Sequence, residues 1–176
     1  MSSKRFLAIV DPWANPPTDE VEKFPMLTSD NNIQCQLIHN QLSRLKPLFD
    51  DIIVLDNGQL PHPLFDELPS YGFGYESKYL SDKQDWDMWL CGFHDGRCIH
   101  DKIYDIIKIY GWNYNRFHII QNLSFLFPGD MKRPCYQQAK YIDIAKNVKV
   151  YDWDYISNFY IGSNAIYTNG RRWWQL

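Results

Sequence analysis

The fold is decided by residues 90–101, with the sequence LCGFHDGRCIHD, where an apolar run passes through a short loop into a helix. Residues 86–91 are predicted to form a buried strand. Residues 99–110 place isoleucines at helical spacing and end at Gly111, which is typical of a helix C-terminus. Cys98 therefore lies where the helix begins. Unpaired amides and the helix dipole there favour a thiolate and can hold an oxyanion, so we predict that Cys98 is a catalytic nucleophile.

Strands and helices are predicted to alternate along the chain. Short apolar runs typical of buried strands occur at residues 6–10 and 52–55, and further strands are predicted at residues 86–91, 117–120 and 148–151. Helices are predicted between them, from Asp30 to Pro47, over residues 99–110 and over residues 136–146. This alternation predicts an α/β fold, namely a three-layer α/β/α Rossmann-like sandwich with a mainly parallel sheet.

The segments on either side of the second strand carry predictions of their own. Residues 15–29 contain three prolines and are predicted to form a loop. Residues 75–79 are predicted to form a short strand that carries Lys78. In the helix between the first two strands, an apolar stripe that includes Ile33 and Leu37 is predicted to face the core.

The composition predicts a single domain whose partners are small molecules or proteins. The chain has 176 residues, of which 45% are hydrophobic, enough to bury a single core. A net charge of -3 is spread over mixed acidic and basic positions, so we expect no nucleic-acid partner and no membrane surface. No apolar stretch approaches the roughly 20 residues that span a bilayer. The four cysteines are scattered, as suits reduced thiols, and we therefore expect a cytoplasmic protein.

A carboxylate stands at the end of the first predicted strand. Asp11 follows the apolar run 6–10, and in parallel sheets ligands gather at the carboxyl ends of strands. We expect Asp11 and Cys98 to share that edge, although an Asp before proline can also simply form a turn. Trp13, together with the Phe93 and His94 pair, can wall a flat pocket for a ring-bearing substrate, and core packing explains these side chains equally well.

Several of these features together resemble a known family. The strand-end segment 9–11 (IVD), the glycine of segment 91–93 (CGF), the interval to Cys98 and the helix that ends at Gly111 resemble the isochorismatase-like cysteine hydrolases. That family includes nicotinamidases and N-carbamoylsarcosine amidase. The resemblance covers residues 1–156 and implies that they form one isochorismatase-like hydrolase domain.

The resemblance implies a triad and a reaction. Asp11 would be the general base, Cys98 the nucleophile and Lys78 the cation that stabilises the thiolate. Such a set suits the chemistry, because a free thiol is mostly protonated near neutral pH and needs a cation and a proton acceptor nearby. The implied reaction is cleavage of a C–N bond in a small amide or carbamoyl compound through a thioester, with no cofactor.

The resemblance also assigns the loop before Cys98. Backbone amides around Arg97 and Cys98 would form the oxyanion hole, and the peptide bond between Phe93 and His94 would be cis. Because family members often form dimers or larger assemblies, the resemblance further implies a homo-oligomer.

The chain departs from the family pattern in two places. Only twenty positions separate Lys78 from Cys98, so the helix expected between them must be shortened or lost. Lys83 is the fallback, but its charged and polar neighbours indicate an exposed turn. Asp56 is followed by Asn57-Gly58-Gln59, with His62 further on, which does not supply the metal ligands of nicotinamidases. A nicotinamidase is therefore disfavoured.

A metal site near Cys98 is also disfavoured. Side chains that can bind zinc cluster there, but neither a CxxC nor an HExxH spacing is present; they are His94, Asp95, Cys98, His100 and Asp101. We expect these side chains to cap the helix or contact substrate, and we expect Cys35 and Cys91 to be core residues.

Residues 157–176 form an aromatic C-terminal extension outside the family pattern. It ends in two arginines and two tryptophans before the last two residues, a composition favoured at interfaces, so we predict that it packs on the domain or at an interface. This tail and the compressed interval before Cys98 would also suit a catalytically silent relative that keeps the fold as a binding or assembly module. The sequence alone leaves both classes open.

Overall fold

Six parallel strands form one sheet in the computed structural model, which describes residues 4–72, 76–126, 143–144 and 146–151. The strands are β1 Arg5–Val10, β2 Asp51–Leu55, β3 Ser70–Tyr71, β4 Asp87–Asp95, β5 Phe117–Leu126 and β6 Lys149–Tyr151. Their order across the sheet is β3-β2-β1-β4-β5-β6, and every neighbouring pair is parallel. The predicted α/β fold with a mainly parallel sheet is confirmed.

The strand order reverses at the middle of the sheet. The chain starts at β1, moves outward through β2 and β3, and then returns to place β4 on the other side of β1. In open parallel sheets, the crevice at the carboxyl ends of the two strands flanking such a reversal is the usual ligand site. The segments after β1 and β4 lie at this crevice.

Apolar side chains pack on both faces of the sheet. The helices are α1 Thr18–Lys23, α2 Leu27–Leu45, α3 Glu76–Leu80 and α4 Cys98–Tyr110. Successive residues of β1 point to opposite faces. On one face Phe6, Ala8 and Val10 join a buried cluster with α3 and α4, while on the other Leu7 and Ile9 join a cluster with α2. The sheet is therefore the middle of three layers.

The segment predicted as a loop over residues 15–29 is largely helical. Two of its prolines flank helices rather than interrupt them, since Pro17 precedes α1 and Pro25 lies between α1 and α2. α2 consequently begins at Leu27, before the predicted start at Asp30.

The buried face of α2 also differs from the predicted stripe. Ile33 is 59% exposed and Leu37 is 48% exposed. The buried positions follow a 3.6-residue period from the true start of the helix and include one polar residue; they are Leu27, Asn31, Cys35, Ile38, Leu42 and Leu45. The prediction that Ile33 and Leu37 face the core was wrong. The buried face of α2 includes the polar residue Asn31, so apolar residues alone did not reveal which face is buried.

Residues 76–79, predicted to belong to a strand, lie in the helix α3. The strand in this region is instead the two-residue β3, which ends at Tyr71, before α3 begins. Tyr79 anchors the end of α3: its ring meets that of Phe6 edge-on at 5.3 Å between centroids, and its hydroxyl donates to Asp51 Oδ2 at 2.7 Å. Because Asp51 begins β2, α3 ends near the amino end of the sheet.

Several predictions concern residues outside the described part of the chain. Most of the predicted helix 136–146 lies there, although residues 143, 144 and 146 are helical, and so does the whole extension 157–176. Cys35 and Cys91 are fully buried, as predicted. Within the described ranges, no helix is both long enough and apolar enough to cross a membrane.

Candidate active site

Asp11 is held at the carboxyl end of β1 by its backbone. Its amide donates to the carbonyl of Leu55 at 2.8 Å, which extends the pairing of β1 with β2 by one residue. Its φ of 47° lies in the left-handed region, where Asp is among the few tolerated residues. Asp11 is fully buried.

Gly92 allows β4 to lie directly against the end of β1. It pairs with Val10, and its φ is 108°. A Cβ at this position would lie 2.8 Å from the backbone nitrogen of Val10 and closer still to its carbonyl oxygen. Only glycine fits this approach, which brings the segment after β4 beside Asp11.

The loop from β4 to α4 is closed by local hydrogen bonds. The peptide bond between Phe93 and His94 is cis, so this feature implied by the family resemblance is confirmed. The Arg97 amide donates to the His94 carbonyl at 3.0 Å, and the Gly96 amide donates to His100 Nδ1 at 3.1 Å. Arg97, predicted to help bind an oxyanion, thus has its backbone amide engaged within the loop.

Cys98 is the first residue of α4, as predicted, but its thiol is not a resting thiolate. Burial raises the pKa of Cys98, and the negative charge of Asp11 and its acceptance of the thiol proton raise it further. The backbone amide of His94 acts in the opposite direction, because it can donate to the sulfur. The start of α4 thus faces a buried carboxylate, which acts against the thiolate that the helix dipole favours. The sulfur therefore holds its proton at rest.

The carboxyl group of Asp11 titrates near neutral pH. Burial raises its pKa to about 7, and the charge of Asp56 adds to the rise. The Cys98 thiol, the Lys102 ammonium and the Asn57 amide act in the opposite direction. Asp11 can therefore accept a proton from the thiol and later release it.

Lys102 supplies a cation that the sequence analysis missed. It lies four residues after Cys98, one turn further along α4, and is only 5% exposed. Its Nζ donates to the Asp56 carbonyl at 3.4 Å, and its charge lowers the pKa of Asp11. The signal available in the sequence was the four-residue spacing, which places both side chains on one face of the helix.

Lys78 and its fallback Lys83 lie elsewhere. Lys78 is exposed on α3. The Nζ of Lys83 lies 4.1 Å from the ring centroid of Tyr79, whose hydroxyl bonds to the start of β2. Lys78 lies on α3, and Lys83 follows the turn after that helix. Because Lys78 is exposed and the charge of Lys102 acts on Asp11, the structure does not support the predicted role of Lys78.

A cavity of about 210 Å³ opens beside Cys98. Its described lining contains carboxyl, amide, thiol and ammonium groups and comes from Asp11, Asn57, Cys98, Asp101, Lys102 and Asp105. Asp56 helps to shape it, since its carboxylate accepts from the Gly58 amide at 2.8 Å and from Ser70 Oγ at 2.9 Å, holding the loop that carries Asn57. Among the described residues, no three His, Cys, Asp or Glu side chains are grouped to hold a metal ion.

The aromatic residues predicted to wall the pocket are buried behind the site. Trp13 is 4% exposed, and its ring lies 5.4 Å from that of His94, while Phe93 stacks on Phe125 at 5.6 Å. Burial and the Arg97 charge lower the pKa of His94 to about 3, so its ring is neutral. None of Trp13, Phe93 and His94 belongs to the described lining of the cavity, which favours their alternative role as core residues.

Comparison with known proteins identifies the fold. No family model matches the chain, and no curated protein matches it. Among solved structures, the chain is similar to an isochorismatase-like hydrolase from Alkaliphilus metalliredigens, with a TM-score of 0.60 and 12% sequence identity, over 90% of this chain and 99% of that one. At such low identity the similarity concerns the fold alone. The chain therefore has the parallel α/β fold of an isochorismatase-like hydrolase.

Proposed function

We propose that the protein is a cysteine hydrolase that cleaves a C–N bond of a small amide or carbamoyl compound. Cys98 is the nucleophile, Asp11 the general base and Lys102 the cation of its triad. The observation that carries this proposal is the convergence of the three side chains on one cavity at the strand-order reversal. The similar structure is described as an isochorismatase-like hydrolase, which supports hydrolysis as the type of reaction.

The first half of the reaction forms a thioester. Asp11 takes the thiol proton as the Cys98 sulfur attacks the substrate carbonyl carbon, and an S–C bond forms. When the tetrahedral intermediate collapses, the C–N bond breaks and the proton on Asp11 passes to the leaving nitrogen. A carboxyl group with a pKa of about 7 suits both transfers, because it gains and loses a proton near neutral pH.

The second half releases the acid. Asp11, again ionised, takes a proton from a water molecule that attacks the thioester carbonyl. The S–C bond breaks, and the proton returns to the sulfur as the carboxylic or carbamic acid leaves. Thiol and carboxylate are thereby restored, and no redox partner is needed.

Lys102 balances the charge of this proton exchange. Thiol plus carboxylate, or thiolate plus carboxylic acid, carries one negative charge in either arrangement. Because Asp11 is fully buried and Lys102 is 5% exposed, an unbalanced charge here would be costly. The ammonium makes the group of three neutral overall, whichever way the proton lies.

The proposal is tested by capturing the acyl intermediate. The protein is incubated with a panel of small primary amides and N-carbamoyl compounds, and mass spectrometry and ammonia release are followed. We expect an acyl adduct on the peptide that contains Cys98. Cys98→Ala should lose both signals, whereas Cys35→Ala, which removes a buried thiol from α2, should keep them.

A second measurement is alkylation of Cys98 by iodoacetamide near neutral pH. In the proposed triad, Lys102→Met slows alkylation because it removes a positive charge near the sulfur, whereas Asp11→Asn speeds it because it removes the negative charge that raises the pKa of Cys98. Equal rates in all three proteins, with no ammonia released, would instead favour a catalytically silent binding module.

A further inference from the structure

We propose that Asp56 is a positioning residue of the candidate site, which holds the Asn57 backbone amide and the Lys102 ammonium beside the Asp11 carboxyl group. The inference rests on the proposed function and adds to it a residue that acts through its neighbours. Asp56 does not belong to the described lining of the cavity. Its role is carried by the hydrogen bonds that its backbone and its side chain make.

The backbone of Asp56 connects the sheet to α4. Its amide donates to the Tyr71 carbonyl at 3.1 Å, which continues the pairing of β2 with β3 by one residue. Its carbonyl accepts from Lys102 Nζ at 3.4 Å. A lysine side chain has a flexible four-carbon stem, so a fixed acceptor at its end limits the positions that the ammonium can take. The place of the Asp56 carbonyl therefore helps to decide where the charge of Lys102 lies.

The carboxylate of Asp56 fixes the turn that carries Asn57. It is buried, and its two oxygens accept from the Gly58 amide at 2.8 Å and from Ser70 Oγ at 2.9 Å. An aspartate that accepts from the amide two residues later closes a turn in its own backbone. The bond from Ser70 attaches this turn to β3. Asn57 lies between the two ends of the turn, so the direction of its amide depends on the Asp56 side chain.

The turn and the ammonium act on the same carboxyl group. The groups around Asp11 come from the turn after β2 and from α4, and the charged or titratable ones are Asp56, Cys98, Asp101, Lys102 and Asp105. The Asn57 amide and the Lys102 ammonium lower the pKa of Asp11, whereas the charge of Asp56 raises it. Asp56 thus has two opposite effects on Asp11, one through its hydrogen bonds and one through its charge.

The two effects are separated by Asp56→Asn and Asp56→Ala. Both variants remove the charge, but only asparagine keeps an oxygen that can accept from the Gly58 amide. Carboxyl-carbon NMR of protein labelled at aspartate follows the titration of Asp11, whose signal is identified by its loss in Asp11→Asn. We expect the midpoint to move to lower pH in Asp56→Asn, because a negative charge is lost, and to lie higher in Asp56→Ala than in Asp56→Asn, because the turn and Lys102 are released. An equal or lower midpoint in Asp56→Ala would overturn the proposal.

Hydrolysis of an amide substrate measures the consequence for the reaction. At the plateau of each pH profile, we expect kcat/KM to fall about 10- to 100-fold in Asp56→Ala, because misplaced reacting groups slow catalysis, and to recover largely in Asp56→Asn. The matched control is Asp50→Ala, which removes a carboxylate that also accepts from a backbone amide, that of Arg5 at 2.9 Å, but at the opposite end of β2. It should leave the midpoint and kcat/KM unchanged. Equal falls in Asp50→Ala and Asp56→Ala would contradict a role specific to Asp56.

Ser70→Ala provides a second route if Asp56→Ala does not fold. It leaves the charge of Asp56 and removes one of the two hydrogen bonds that hold the turn. The midpoint of Asp11 should therefore move to higher pH, opposite to the change in Asp56→Asn, and an unchanged midpoint would contradict the proposal. If no amide is hydrolysed by any of these proteins, the proposed reaction fails, and the NMR titration alone decides whether Asp56 positions the groups around Asp11.

Discussion

Helices α3 and α4 each carry a lysine near their start, yet only one of the two reaches the cavity. Lys78 is the third residue of α3 and is exposed, whereas Lys102 is the fifth residue of α4 and is almost completely buried. α4 starts at the carboxyl edge beside Asp11, while Tyr79 ties the end of α3 to the start of β2. The comparison shows that a lysine can line the cavity only if its helix starts at the edge of the sheet where the cavity lies.

The sharpest test of this difference exchanges each lysine for methionine. We expect Lys102→Met to lower kcat/KM by about 100- to 1000-fold, because a buried charge that stabilises the reacting groups is lost. Lys78→Met should stay within about twofold of the unaltered protein, since an exposed side chain on α3 is removed. Steady-state hydrolysis of one amide substrate measures both. A larger loss in Lys78→Met than in Lys102→Met would reverse the assignment.

The same pair of variants has distinct pH profiles. Activity should rise through about pH 7 as Asp11 loses its proton and becomes the base. Because Lys102 lowers the pKa of Asp11, Lys102→Met should move this rise to higher pH, and Lys78→Met should leave it in place. A rise at the same pH in both variants would contradict the coupling.

Asp11→Asn should change the pH dependence of stability. Burial raises the pKa of Asp11 from 3.8 to about 7, so the folded protein binds more protons than the unfolded chain between these values. Its contribution to stability is greatest below about pH 4 and is lost as the pH rises to about 7. Relative to the unaltered protein, Asp11→Asn should therefore become more stable with rising pH, by up to about 4 kcal/mol.

Urea unfolding at pH 4.5 and pH 8 measures this effect. Asp19→Asn, which removes an exposed carboxylate from α1, is the control and should show no such dependence. A pH-independent stability difference for Asp11→Asn would show that the group ionises normally.

Gly92→Ala tests the close approach that brings α4 to the end of β1. The new Cβ would collide with the Val10 backbone, so we expect a loss of about 2 to 4 kcal/mol in the free energy of unfolding. Gly58→Ala is the matched control: its φ of 97° is also positive, but a Cβ there meets nothing within 4 Å. It should lose only about 1 to 2 kcal/mol. Equal losses would mean that backbone conformation alone requires glycine.

Tyr79→Phe tests the anchor of α3 and has the smallest expected effect. It removes the hydroxyl that donates to Asp51, so we expect a loss of about 1 kcal/mol in stability. Hydrolysis should be unchanged, because α3 contributes no described lining residue to the cavity. A fall in kcat/KM without loss of folded protein would link α3 to the reaction.

Local sequence patterns predicted most of the strands, but they did not predict which face of every helix is buried. β1 and β2 were evident as apolar runs of buried strands, and β4, β5 and β6 as short, mostly apolar segments between helix and turn signals. The two-residue β3 carries no such pattern. The stripe of α2 was misplaced at Ile33 and Leu37, because the polar Asn31 lies on the buried face and donates to the Trp13 carbonyl at 2.7 Å.

By itself, the sequence determined the fold class and two members of the candidate site. Asp11 and Cys98 were identifiable because each adjoins a strand or helix end with a clear local pattern, and such ends meet at one edge of a parallel sheet. Only the tertiary structure points to Lys102 as the cation of the candidate site and to the raised pKa values of Asp11 and Cys98. Burial of Lys102 and the raised pKa of Asp11 depend on groups that the fold brings from separate strands and helices.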